Sequence, residues 1–315
     1  MLTFFTTGKP FRGHDGIIQR NALKSWKMLH SDVEVIFFGD EEGAAEVCQE
    51  YGLRHEPEVE RFNGKMPFIN SMFARAQQIA KHNYLCYSNC DIILLDDFLQ
   101  AFQKARKWRE RFLLVGQRQD VDVTALIDFR HPNWSDRLRQ RAVAEGIKKD
   151  EYWIDFFLFP REVYVDMPPL VVGYCYWDNW MIWKALSQRV PVLDGSSFIL
   201  TIHQNHGYSA LSGRIKGVAE DPISLMNLEL IRGRKYTRHI KSATHRIAGN
   251  GRIYLNLDRY THDRKRLLRI FIQKERERLL YKAWLPAWHF LLGITRPMRH
   301  LLGLRSKATR TRQKI

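Results

Sequence analysis

An α/β domain, built on a mostly parallel sheet with helices on both faces, is the fold class this sequence predicts, and three observations predict it. Strand-like and helix-like segments alternate through the first 118 residues. The apolar run Tyr84-Leu-Cys-Tyr-Ser88 stops at Asn89-Cys90-Asp91, which puts a carboxylate at the end of a buried strand. Open α/β sheets gather their ligands at the carboxyl ends of strands, and hard divalent cations prefer oxygen ligands. With 315 residues, 45% of them hydrophobic, there is core material for one large domain or two modest ones.

Each element follows from local pattern. Leu2–Thr7 reads as a strand. Asp15 suits the N-cap of a helix over residues 15–29, with Ile18, Leu23 and Trp26 on its apolar side. Val33–Phe38 is a second strand closed by Gly39-Asp40. Residues 41–51 form a helix with an acidic first turn and Gly52 as its stop, and a short strand follows at 53–59. Pro67 opens a helix to His82, with Phe68, Met72, Ala76 and Ile79 at helical spacing. The strand ending at Asn89-Cys90-Asp91 comes next, then a helix over 97–107 and a strand over 111–116. The second half is less regular and rich in aromatics. It holds Tyr152-Trp-Ile-Asp-Phe-Phe-Leu-Phe-Pro160, Tyr174-Cys-Tyr-Trp-Asp-Asn-Trp180 and Ile202-His-Gln-Asn-His-Gly-Tyr208. Aromatic faces beside carboxylates and amides suit sugar rings; a plain aromatic core is the commoner use of Phe156, Phe157 and Phe159.

Charge and motifs narrow the function classes. The net charge of +16 is concentrated at one end: residues 251–315 carry seventeen Lys/Arg against four Asp/Glu, which leaves +3 for residues 1–250. A near-neutral body argues against a nucleic-acid enzyme with a positive cleft. Cys48, Cys86, Cys90 and Cys175 have neither zinc-type spacing nor disulfide-scaffold density, which suits a reducing compartment. The first residues lack the basic stretch of a secretory signal, and no apolar run reaches the roughly 18 residues needed to span a bilayer. Neither a Gly-x-Gly-x-x-Gly turn nor a phosphate-loop motif follows the first strand.

In their order, the segments Thr3-Phe-Phe-Thr-Thr-Gly-Lys-Pro-Phe11, Gln19-Arg-Asn-Ala-Leu-Lys-Ser-Trp26, Asn89-Cys-Asp91, Gly116-Gln-Arg118, Ile154-Asp-Phe-Phe-Leu-Phe-Pro160, Trp177-Asp-Asn-Trp180 and His203-Gln-Asn-His206 resemble nucleotide-sugar glycosyltransferases of the GT-A fold. The resemblance covers residues 2–250 and is similar in kind to bacterial and plant glycosyltransferase-like proteins. It implies a catalytic domain over 1–250, with a nucleotide-binding half (1–118) and an acceptor-binding half (119–250). It also implies transfer of a sugar from a nucleoside-diphosphate donor to a glycan or lipid-linked acceptor, assisted by Mn²⁺ or Mg²⁺. The family's Asp-x-Asp motif stands here as Asn89-x-Asp91, so Asp91 keeps the metal-ligand role while Asn89 is left to bond a ribose or a metal-bound water. His203 and His206 are the metal-ligand candidates from the late segment. In an extended strand their odd spacing sends them to opposite faces, and His203 is preferred.

Asp178 matches the carboxylate that removes the acceptor proton in inverting members; it equally suits the N-cap of a helix over 179–187. Asp155 is the rival base or an acceptor-binding group. Thr6, Thr7 and Asp40 end the first two strands, where such folds bind the nucleoside, although turn chemistry serves Gly39-Asp40 as well. Arg118 either forks onto the diphosphate or pairs with Asp120 or Asp122. Lys9, Arg12 and His14 are weaker phosphate candidates. A sugar-phosphate nucleotidyltransferase lacks its Gly-rich basic loop here, whereas a sugar-binding scaffold would be favoured by Asn89 in place of Asp. The basic appendage at 251–315 interleaves Trp, Phe and Leu with Lys and Arg through residues 264–303. It reads as amphipathic helices on an anionic membrane surface, which puts a cytoplasmic enzyme on the inner face of the cell membrane; a helix packed back on the catalytic domain is the second reading, and a nucleic-acid-binding tail is disfavoured by the interleaved Trp and Leu.

Overall fold

In the computed structural model, the described residues are 1–206 and 218–262, with Ile272, Glu275, Arg276, Arg278 and Leu279 beyond them. The chain divides into two compact units, Met1–Arg259 and Tyr260–Ile315. Most of the second unit, including the expected membrane-lying helices and basic tail, lies outside the described residues. Within it, Arg278 pairs with Glu275 at 3.5 Å. Among the described residues no helix is long and apolar enough to cross a membrane.

The first unit follows the βα alternation. Strands β1 (Leu2–Thr7), β2 (Val33–Phe38), β3 (Arg54–Glu56), β6 (Tyr84–Ser88), β8 (Leu113–Val115), β11 (Phe156–Pro160), β12 (Val192–Asp194), β14 (His245–Ile247) and β15 (Ile253–Leu255) form one sheet. The short strands β4 (Arg61–Phe62) and β5 (Met66–Pro67) make a separate ribbon. The helices are α1 (Gly13–Met28), α2 (Ala44–Tyr51), α3 (Ile69–Ile79), α4 (Asp96–Trp108), α5 (Trp134–Glu145), α6 (Trp177–Ser187) and α7 (Pro222–Leu230). The nine-stranded order is β15-β14-β12-β8-β11-β6-β1-β2-β3. Pairings are parallel except those of β11 with β6 and β8, and of β15 with β14. The mostly parallel sheet is therefore as expected, with one antiparallel strand at its centre.

Strand alternation explains why both faces are covered. In β1, Phe4 shares an apolar cluster with Ala22, Leu23 and Trp26 of α1 and with Phe98 and Phe102 of α4, while Phe5 belongs to the cluster on the other face with Phe73 of α3 and Met181 of α6. Phe4 stacks on Trp26 at 5.1 Å, and the Trp26 indole donates to Ile92 O at 2.9 Å. The chain reverses its direction of strand addition between β1 and β6, so their carboxyl ends frame a switch-point crevice.

A four-stranded sheet lies alongside, in the order β10 (Ile147–Lys148), β9 (Arg118–Val121), β13 (Thr201–Gln204), β7 (Ile92–Ile93). Three local expectations are corrected. Pro67 lies in β5, and α3 begins only at Ile69, because residues 66–67 are held extended by pairing with β4. Asp15 sits inside the first turn of α1, whose N-cap is Arg12, and its carboxylate takes Lys9 Nζ at 3.1 Å. Helix α2 starts at Ala44 after the left-handed Gly43 rather than at Glu41.

Candidate functional site

The site starts where β6 ends. Asn89 N donates to Asp155 O at 2.9 Å, which turns the chain so that Asp91 precedes β7. Strand β13 pairs with β7 on one side and β9 on the other, with His203 in register with both Ile92 and Asp120. That register sets His203 between two carboxylates: its Nε2 is 3.6 Å from Asp91 Oδ2, and its Nδ1 lies 3.1 Å from Asp120 Oδ1, a charge contact rather than an aligned hydrogen bond.

His206 reaches the same carboxylate, with Nε2 at 3.0 Å from Asp91 Oδ2. The opposite-face expectation for the two histidines fails because β13 stops at Gln204. The next residues turn, held by Asn205 N to Val121 O at 3.0 Å, Asn205 Nδ2 to Asp122 Oδ1 at 2.6 Å and a contact of His14 Nε2 with Asn205 O at 2.8 Å. One donor atom each from Asp91, His203 and His206 lies within 4.8 Å of the others. That spacing needs only small rotations to surround one ion at bonds of about 2.1 Å. Asp91 Oδ1 is buried with no hydrogen-bond partner, a lone-pair site that costs free energy unless something fills it.

The electrostatics couple one carboxylate to two imidazoles, and a metal ion bound here would take the place of the His203 proton. Burial by itself would raise the Asp91 carboxyl, but the charge and hydrogen bonds of His203 and His206 outweigh it and hold it well below the usual carboxylate range. Burial likewise opposes charge on His203, yet Asp91 and Asp120 lift its imidazolium to about 9.

A second layer of charges backs the first. Arg118, only 3% exposed, sets Nε 2.9 Å from Asp120 Oδ1 and Nη1 3.4 Å from Asp155 Oδ1, with its guanidinium 4.4 Å over the Trp153 ring. Of its two sequence readings, the ion pair with Asp120 is the one these contacts form. Lys149 Nζ adds a contact to Asp120 Oδ2 at 3.0 Å. Asn89 gives its Nδ2 to Asp155 Oδ1 at 2.7 Å and accepts from the Tyr87 hydroxyl at 3.2 Å, so its amide is engaged within the protein.

Asp178 is not the helix N-cap. Helix α6 begins at Trp177 after the left-handed Tyr176 (φ 83°), and Asp178 occupies its first turn, accepting from Asn179 N at 2.8 Å. Enclosure pushes its carboxyl up to about 7, the nearby Asp155 charge adding to the rise. Trp177 and Trp180 are buried in the core, and Trp177 meets Tyr87 edge-on at 5.4 Å, which links this helix start to Asn89.

At the carboxyl end of β1, the Thr6 hydroxyl donates to Ser88 O at 2.7 Å and ties the two switch-point strands together. Thr7 Oγ1 is buried without a hydrogen-bond partner, while Asp40 is exposed and paired with Arg61 at 2.9 Å. Asp91, His203, His206, Asn89, Asp155 and Arg118 thus form one connected cluster. Sequence reasoning gave Asp120 only a partner's role and missed Lys149, Trp153 and Tyr87. The alternation of Arg118, Asp120 and Asp122 on one strand face was the available signal.

No protein-family model and no curated protein matches the chain. Solved structures do. S. aureus TarS 1–349 aligns over 40% of this chain and 37% of that one, with 12% identity and a TM-score of 0.32. S. aureus TarS 1–349 in complex with UDP-GlcNAc aligns over 73% of this chain and 66% of that one, with 12% identity and a TM-score of 0.46. Glucosyl-3-phosphoglycerate synthase from Mycobacterium tuberculosis, in complex with Mn²⁺, UDP and phosphoglyceric acid, aligns over 74% and 79%, with 10% identity and a TM-score of 0.45.

Proposed function

We propose that this chain is a metal-dependent GT-A-type glycosyltransferase that moves a sugar from a nucleoside-diphosphate donor to a glycan or lipid-linked acceptor. The observation that carries the reading is the convergence of Asp91, His203 and His206 at the carboxyl end of the switch-point strand, with Asp91 Oδ1 buried and unpartnered. The donor set fits a divalent cation held by the Asp91 carboxylate and the two Nε2 atoms. When bound, that cation supplies positive charge to the donor diphosphate and leaving group. Two imidazoles beside one carboxylate favour Mn²⁺ over Mg²⁺, which prefers an all-oxygen shell.

Thr6, Thr7 and Asp40 edge the nucleoside end of the crevice, and Thr7 Oγ1 has a hydrogen bond to give. Asp178 is the base in an inverting displacement. A carboxyl titrating near 7 is ionised in part at neutral pH and retains driving force to accept a proton. Asp155 serves instead as a positioning group, since Asn89 and Arg118 already occupy it. The basic residues of 251–315 would hold the enzyme to the inner face of the cell membrane.

A thermal-shift screen of UDP, GDP, CMP and dTDP and their sugars, with and without Mn²⁺, tests the reading. Ligand binding to the native state raises stability by mass action. A Mn²⁺-enhanced shift with one nucleotide class supports a transferase. No shift with any nucleotide supports the sugar-binding scaffold instead.

A further inference from the structure

After α7 the chain returns to the helix that carries Asp178. Residues 231–241 read Ile-Arg-Gly-Arg-Lys-Tyr-Thr-Arg-His-Ile-Lys, five Lys/Arg with no Asp or Glu. The backbone of this segment is fixed rather than draped. Gly233 N donates to Leu228 O at 2.8 Å, Tyr236 meets Trp183 edge-on at 4.8 Å, and His239 and Ile240 are buried.

Two of its anchors fall on either side of Asp178. Arg238 N donates to Asn179 O at 2.8 Å, and Arg234 Nη2 donates to the Tyr176 hydroxyl at 3.3 Å. Arg232, Arg234 and Lys235 nonetheless keep exposed side chains. Tyr176, which accepts the Arg234 hydrogen bond, holds left-handed backbone at φ 83°. Bulky side chains avoid that conformation, and it persists where surrounding structure enforces it, often at ligand clamps. A solvated basic loop would account for the charge. It would not account for attachment at Tyr176 and Asn179, which bracket Asp178, nor for the left-handed backbone at Tyr176.

We propose that this segment is the anion-binding edge of the acceptor site: the acceptor carries a phosphate-type group, held by Arg232, Arg234 and Lys235, while its hydroxyl reaches Asp178. The proposal rests on the glycosyltransferase reading above and names its acceptor class. Guanidinium forks match phosphate oxygens in pairs, and a flexible ammonium adds a point charge beside them. The phosphate could belong to a soluble ester or to a lipid headgroup, and the two sources are separable.

The test uses the full chain with UDP and Mn²⁺ present. Calorimetry measures glycerol 3-phosphate against uncharged glycerol, and sedimentation measures vesicles of phosphatidylglycerol and phosphatidylcholine. Each is run on wild type and on the triple variant Arg232→Gln/Arg234→Gln/Lys235→Gln. The basic C-terminal residues are common to both proteins and cancel in the comparison. We expect glycerol not to bind, and the triple variant to weaken the anionic probe at least tenfold while UDP–Mn²⁺ affinity stays unchanged. Loss with glycerol 3-phosphate assigns a soluble ester, and loss with vesicles alone assigns a lipid headgroup. Equal binding of both probes by wild type and variant, or no binding of either probe by wild type, overturns the acceptor assignment. Absence of Mn²⁺-dependent binding in wild type of UDP and of every other nucleotide in the screen above overturns the glycosyltransferase reading, and the acceptor assignment with it.

Discussion

Replacing Asp178 by Asn removes a carboxyl that the fold holds far from its ordinary titration range, and both consequences are calculable. The group moves from 3.8 to about 7, roughly three units. At 1.36 kcal/mol per unit this is a ceiling of about 4 kcal/mol, and solvent at the half-buried site reduces it to about 2 kcal/mol. The sign follows from proton counting. Below pH 4 both folded and unfolded chains hold the proton. Between about 4 and 7 the unfolded chain loses it first, so stability falls as pH rises through this window and is level above it. The Asp178→Asn variant lacks that slope, and its side-chain oxygen can still accept from Asn179 N. Urea denaturation should therefore find the variant about 2 kcal/mol more stable than wild type at pH 8 and within about 1 kcal/mol of it at pH 4.5. Transfer should fall by about 10² or more with donor affinity kept, and the wild-type rate should rise with pH through a midpoint near 7. A stability advantage of the variant over wild type that is no larger at pH 8 than at pH 4.5 would refute the shielding of this carboxyl and remove the basis for its role as base.

Other outcomes follow from the charge cluster and the core. Arg118→Ala leaves Asp120 and Asp155 buried without their shared cation and should cost about 3–5 kcal/mol in urea denaturation, the usual penalty for breaking a buried pair. Asp120→Asn removes the charge behind His203 while keeping its size, and calorimetry should show Mn²⁺ affinity lower by about 10–100-fold with little change in Tm. Phe5→Ala empties the face shared with Phe73 and Phe159 and should destabilise by about 3–5 kcal/mol.

Much of the fold was legible because strand and helix periods differ so plainly in the first 118 residues. Val33, Val35 and Phe37 pack on one face of β2, while Ile36 and Phe38 pack on the other. The antiparallel placement of β11 was not legible, since an apolar run such as Phe156–Pro160 carries no direction and its neighbours β6 and β8 are distant in sequence. Asp91 stood out as a carboxylate at a strand end. The joint approach of His203 and His206 did not, because a two-residue alternation holds only while the strand continues, and the turn at Asn205 ends it. The inward engagement of Asn89 was hidden for a related reason. Its partner Asp155 lies 66 residues away, and only sheet pairing brings the two together.

Isothermal titration of Mn²⁺ in the presence of UDP, on wild type, His203→Ala, His206→Ala and Asp91→Ala, addresses the metal cluster most directly. The account predicts one Mn²⁺ per chain, tighter than Mg²⁺, weakened in each histidine variant and lost in Asp91→Ala, with folded-state circular dichroism retained throughout. Mn²⁺ binding that is unchanged in Asp91→Ala would contradict it.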